Sequence, residues 1–354
     1  KRIMAYTTIN KSTDHFNTTI YTGSGSARTI TTGLQSDFVW LKNRSATGHH
    51  YLFDQVRGVQ KPIYSSSSAA EASADSTQLT AFGSTGFDIG TTTDFNANGT
   101  TAVSWTWKAG GGAGSSNTDG TINTISTSVN TTAGFSISTY AGNSTQGATI
   151  GHGLGVAPKM IILKSTTHTE DWAVAHEQMN SSNPWDYYLN LNLTGGRSQN
   201  NNRFGNVAPT STVFTLGNSD EVNGSGKSYV VYCFAEKTGF SKFGSYVGNG
   251  NADGPFIYTG FKPGFIIWKR TDSANGWILM DTKRSPVNNV DDLVEVQSNG
   301  AEATDSSYRV DYLSNGFKIR NTNNVFNNGS GSYIYMAFAS VPLVGSNDVP
   351  ATAR

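Results

Sequence analysis

One order of landmarks runs through this chain three times. The apolar runs Asp37-Phe-Val-Trp-Leu-Lys42, Lys159-Met-Ile-Ile-Leu-Lys164 and Gly264-Phe-Ile-Ile-Trp-Lys269 each end in lysine. Each follows a glycine–hydrophobe pair: Gly33-Leu34, Gly153-Leu154 and Gly260-Phe261. A polar turn and an aromatic-led strand come next, as Tyr51-Leu-Phe-Asp54, Trp172-Ala-Val-Ala175 and Trp277-Ile-Leu-Met280. Further on stand an Asn-Gly pair (Asn98-Gly99, Asn223-Gly224, Asn328-Gly329) and a closing strand (Ala102-Val-Ser-Trp-Thr-Trp-Lys108, Tyr229-Val-Val-Tyr-Cys-Phe-Ala235, Tyr333-Ile-Tyr-Met-Ala-Phe-Ala339). Self-similarity at long period is the mark of a duplicated structural unit. It divides the chain into modules 1–113, 114–240 and 241–354. Trp40, Leu163 and Trp268 are expected at matching places, each copy closing its own aromatic interior. The rival arrangement is one large domain with pseudo-threefold symmetry.

The units read as β-sandwiches of jelly-roll or lectin-like kind, an all-β fold. In the first closing strand Val103, Trp105 and Trp107 alternate with Ser104 and Thr106, a period of two with one buried and one wet face. The other two closing strands are apolar on both sides, as in strands covered on both faces. Asn-Gly between strands predicts tight hairpins with positive φ at both central residues. Helix is expected only as a turn or two, at residues 69–76 and 291–296. The glycine-rich run 110–120 reads as a flexible linker, whereas the second and third modules abut near Thr238-Gly239.

Composition narrows the function. Lysine plus arginine (25) balances aspartate plus glutamate (25), and charged residues are only 14 % of the chain. Nothing here makes a basic footprint for nucleic acid or a polybasic membrane patch, and no apolar stretch is long enough to span a bilayer as a helix. Aromatics at 11 % argue against disorder. The single cysteine, Cys233, excludes an intrachain disulfide framework. It falls mid-strand, as a small buried hydrophobe does.

The opening Met4-Ala-Tyr-Thr-Thr-Ile9, the stretch from Thr31 through Arg44, Gly151-His-Gly-Leu-Gly155 with Ala157-Pro-Lys159, and Gly239-Phe-Ser-Lys-Phe-Gly-Ser-Tyr246 resemble a family of uncharacterised structural proteins of marine tailed phages. That family is described as tail-fibre-like or virion-associated, and it brings no established catalytic residues. The resemblance implies a place on the virion exterior, other virion proteins as partners, and a homo-oligomer, a trimer being the natural assembly. It also implies Met4 as the natural start and Val349-Pro-Ala-Thr-Ala-Arg354 as a natural end.

No catalytic or metal centre emerges from the residues. His49-His50, His152, His168 and His176 lack metal-ligand spacing, and each reads as a turn or surface histidine; His168 with Asp171 is the best metal pair. Asp54 and Asp281 recur at equivalent places, each followed by a basic residue (Arg57; Lys283 and Arg284), with His176 near that spot in the second module. An ion pair or turn cap is the expected role. Asn249-Gly-Asn-Ala-Asp-Gly254 reads as a turn, lacking the bidentate glutamate of a calcium loop.

The remaining candidate is a binding surface. Asn183-Pro-Trp-Asp-Tyr-Tyr188 is the most exposed-looking aromatic cluster, followed by Arg197 and the run from Asn200 to Asn202. Aromatics with arginine are typical anchors, so Trp185, Tyr187, Tyr188, Arg197 and Asn200 are the candidate ligand-binding residues, with core packing of Trp185 and Tyr188 as the alternative. The sequence therefore points to a non-enzymatic virion surface protein without cofactor, a fibre, spike or adhesin component contacting host-surface glycans. Capsid decoration or connection is the second reading, and a surface-polysaccharide depolymerase the third.

Overall fold

The computed structural model describes residues 7–342. The expected start at Met4 and the closing 349–354 lie outside the described residues. The fold is all-β and sandwich-like: helix among the described residues is confined to four α-turns of four residues and three short 3-10 turns. Residues 69–76 form no helix, and Asp292–Glu295 is a strand. Both helical expectations fail because neither segment has an apolar face of helical period to bury.

Every module repeats one sheet. Its opening strand (Phe16–Thr22, Phe135–Ala141, Ser241–Val247) pairs with the closing strand (Thr101–Trp107, Ser228–Phe234, Ser332–Pro342). The closing strand pairs on its other side with a central strand (Phe38–Asn43, Met160–Ser165, Phe261–Arg270), which pairs with a flanking strand (His50–Asp54, Ala173–His176, Trp277–Asp281). All pairings are antiparallel, and Phe38↔Trp107, Met160↔Phe234 and Phe265↔Phe338 fix one register in all three copies. A smaller two- or three-stranded sheet accompanies each large one.

The two faces of each large sheet go to different interiors. One face packs in its own module, around Phe53 and Phe87 in the first, Tyr140 and Phe214 in the second, and Trp268 and Phe317 in the third. The opposite faces meet in one shared core containing Trp40, Trp105, Trp107, Ile162, Tyr232, Phe234, Ile267, Met336 and Phe338. The equivalent rings of Trp107, Phe234 and Phe338 touch in all three pairings, with centroids 5.6 to 6.5 Å apart. Three modules thus close a pseudo-threefold ring around an aromatic axis. The expected boundaries at 113/114 and 240/241 fall between strands of successive modules.

Several expectations need correction. Trp40 does not match Leu163 and Trp268: counted from the lysines, its equivalents are Ile162 and Ile267, and all three face the shared core, whereas Leu41, Leu163 and Trp268 face their own. The first closing strand has no wet face, since Ser104 and Thr106 are fully buried. The Asn-Gly pairs are not tight two-residue hairpins. Short helices (Thr93–Asn96, Asp220–Asn223, Asn324–Asn327) precede the closing strands, and positive φ falls at Gly99, Gly226 and Ser330. Capping side chains Thr92, Ser219 and Asn323 start these helices by accepting a backbone N–H two residues on. The run from Gly110 is also tied down: Gly110, Gly111 and Gly112 donate to Ser128, Asp37 and Gln55.

Candidate functional site

Equivalent polar side chains recur in all three modules. The last residue of each short helix, Asn96, Asn223 or Asn327, is fully buried. Its amide donates to two carbonyls (Ser26 and Gly90; Thr145 and Gly217; Asn251 and Asn321), and its Oδ1 accepts the N–H of Ser24, Asn143 or Asn249. The three run-ending lysines are buried too, and each reaches a carbonyl in another module: Lys42 to Asn299, Lys164 to Ser68, Lys269 to Thr194. Burial pulls their amines down to about 8, about 8 and about 7. Opposite the lysines, at the start of each flanking strand, the same cycle appears in ring nitrogens. Trp172 and Trp277 donate to the carbonyls of Tyr64 and Asn190, and His50 Nε2 meets that of Glu295.

Asp54 and Asp281 have the expected role. Each accepts the backbone N–H three residues on and an ion pair from that arginine, Arg57 or Arg284, at 2.6 and 2.5 Å. The histidine reading needs revision. His50, His152 and His176 are fully buried, and burial lowers the affinity of each for a proton, His176 to about 4. Each is held by backbone: Glu295, Thr210 and Tyr335 carbonyls. Among the described residues no three His, Cys, Asp or Glu side chains gather as metal ligands. His168 lies against Thr167 Oγ1, and Asp171 accepts from Asn192. Cys233 is buried in the closing strand, where burial raises its thiol well above the usual range. In the loop from Asn249, Asp253 is neutralised by Lys318 and Arg320.

The three junctions share a frame and differ in one set of side chains. A reciprocal pair of backbone hydrogen bonds ties each: Gly48 N to Asn299 O with Glu302 N to Arg44 O; Glu170 N to Ser68 O with Glu71 N to Thr166 O; Asn275 N to Thr194 O with Arg197 N to Thr271 O. Glu71, Arg197 and Glu302 are therefore equivalent. At two junctions the glutamate pairs with a buried arginine, Arg57–Glu71 at 2.9 Å and Arg284–Glu302 at 3.0 Å. At the junction of modules two and three both members are changed. Met179 stands in the arginine's place and Arg197 in the glutamate's. Arg197 pairs with no carboxylate among the described residues; its Nη1 donates to Thr271 Oγ1 at 2.9 Å, and its guanidinium lies 5.6 Å from the Tyr187 ring centroid. A cleft of about 440 Å³ opens there, walled by Gln178, Asn180, Ser181, Arg197, Ser245 and Thr271, among others.

The sequence candidates spread over this region unequally. Trp185 is 7 % exposed and packs in the second module's own core. Tyr188 leans on the same core with Arg203 over its ring at 4.8 Å. Asn200 caps the turn Asn201–Phe204. Of the five, Arg197 alone lines the cleft, and Tyr187 is linked to it through the Arg197 guanidinium over its ring. Gln178, Met179 and Thr271 were not singled out from sequence, although aligning the Asp54, His176 and Asp281 positions and reading three residues on exposes the Arg57/Met179/Arg284 change.

Fold and site define an all-β protein whose three modules pack on one another, with a cleft at the junction of modules two and three where the arginine–glutamate pair is missing. A family model described as a domain of unknown function, DUF7483, matches residues 11–342, and the chain belongs to that family. The match spans all three modules. No curated protein and no solved structure matches the chain.

Proposed function

We propose that this protein is a non-enzymatic exterior component of a tailed-phage virion, a fibre, spike or adhesin element that docks on other virion proteins and contacts host-surface glycans. The phage setting rests on the sequence resemblance. The binding role is supported by one observation above all. At two junctions an arginine–glutamate pair fills the frame, and at the third the pair is abolished and a solvent-open cleft with a guanidinium stacked on an aromatic ring takes its place. The buried lysines and histidines are committed to carbonyls, and Asp54 and Asp281 to Arg57 and Arg284, which favours a scaffold over a catalyst.

Antibody labelling of intact virions, with glycan-array binding by the purified chain, tests the reading. Surface labelling together with array signals supports it; labelling with no glycan bound, and tight binding to assembled capsids instead, favours a decoration role. Assembly as a homotrimer belongs to the same proposal, and sedimentation of the purified chain checks it.

A further inference from the structure

The cleft continues into a groove along an uncovered sheet edge. Ser241–Val247 is the outermost strand of its sheet. In the second module the equivalent edge is covered by Ser126–Asn130, which pairs with Phe135–Ala141. That covering strand comes from the long connection after the first module. The connection between Phe234 and Ser241 is far too short to supply another. Gly248 N bonds Gly331 O, and Ala339 N bonds Phe240 O. In an antiparallel pair this alternation turns the backbone groups of Ser245 and Val247 away from the closing strand. The second part of the groove, about 420 Å³, shares Gln178, Ser245 and Tyr246 with the cleft and reaches Phe256 and Tyr258. Those two rings are 46 % and 54 % exposed, among the most exposed aromatics described. Glu177, at that end, is already ion-paired with Lys159.

Resting on the glycan-binding reading above, we propose that this groove takes an acidic oligosaccharide, a sugar carboxylate seated on Arg197 and sugar faces laid on Phe256 and Tyr258. The volume falls in the range of small-ligand sites. Arginine presents a fork that matches a carboxylate with two parallel hydrogen bonds, and Tyr187 and Thr271 hold that fork in place. The walls of the cleft around it carry no carboxylate; besides Met179 and Val247 they present hydroxyl and amide groups suited to sugar hydroxyls. Exposed aromatic surface rimmed by polar groups marks an interaction site.

Calorimetric titration of the full chain with tri-galacturonate and with maltotriose tests this. Tri-galacturonate should bind more tightly, weaken as salt is raised, and lose at least tenfold in Arg197→Glu, with Arg197→Lys intermediate and Tyr258→Ala weakening both sugars. Circular dichroism melts of each variant guard against misfolding, and the lysine variant keeps the test informative if the glutamate variant unfolds. Equal affinity for both sugars, indifferent to residue 197, overturns the acidic-ligand assignment and leaves glycan binding standing. Absence of binding to either sugar and to every array glycan overturns both. Poly-L-glutamate bound as tightly as tri-galacturonate, through Arg197, overturns the sugar assignment in favour of an acidic peptide strand.

Discussion

The carboxylate of Asp281 accepts a 3.0 Å hydrogen bond from the indole N–H of Trp105, across the boundary between the third and first modules. The equivalent contact between modules one and two is Tyr232 Oη donating to Asp54 Oδ2 at 2.8 Å. Between modules two and three the donor position is Met336, which has no proton to give. There the carboxylate is replaced by His176, whose Nε2 meets the Tyr335 carbonyl instead. The histidine is thus the local solution to a missing donor. The same junction lacks the arginine that would balance a carboxylate.

Loss of a single donor should therefore be felt moderately and loss of charge balance severely. Trp105→Phe and Tyr232→Phe should each cost about 1–3 kcal/mol, the penalty for an under-satisfied buried polar group. His176→Asp should cost about 3–5 kcal/mol, as an unpaired buried charge does. Adding Met179→Arg to His176→Asp should recover part of that loss. Urea denaturation of the four variants measures these differences.

The buried asparagines should be unforgiving. Asn96→Ala, Asn223→Ala or Asn327→Ala strands one buried carbonyl, of Gly90, Gly217 or Asn321, and releases two loop groups nearer the surface, and about 1–3 kcal/mol should be lost each time. Replacement by Asp at the same positions should be worse, because a carboxylate would face the two carbonyls that the amide had satisfied. Comparable losses in all three modules, read from denaturant midpoints, would establish that the sites are equivalent.

Alkaline pH should stabilise the ring before it harms it. Lys42, Lys164 and Lys269 bind protons less tightly in the fold than in the open chain, where the value is near 10.5. Below about pH 7 both states are protonated and the full burial penalty applies. As pH rises through about 7 to 8 the folded lysines release protons that the unfolded chain still holds, so stability increases with pH. Buried His176, His50 and His152 act with the same sign at lower pH, and stability is lost as pH falls below about 6.5. The thiol of Cys233 and the buried tyrosines, whose protons the fold retains, oppose the gain above about pH 9. Melting temperatures between pH 7 and 9 should rise for the native chain and rise less for Lys269→Met.

Much of this was legible in the residues. The repeat, the all-β class, the Asp54 and Asp281 ion pairs and the burial of Cys233 follow from strings local to each copy. What escaped lies between copies. A strand's alternation says that Trp40 and Leu41 point to opposite faces, but not that the Trp40 face is covered by other modules. What holds the lysines is hidden because the carbonyls, at Asn299, Ser68 and Thr194, are remote in sequence. Of the candidate residues Arg197 alone lines the cleft, with Tyr187 against its guanidinium, whereas Trp185 and Asn200 serve packing and capping.

If the three modules share one interior, they must unfold together. Removing any one would uncover the Trp107, Phe234 and Phe338 cluster. Differential scanning calorimetry of the full chain is the most direct test. A single transition whose calorimetric and van't Hoff enthalpies agree is the predicted result, and three resolved transitions, or a segment spanning 114–240 that melts alone as it does within the whole, would contradict it.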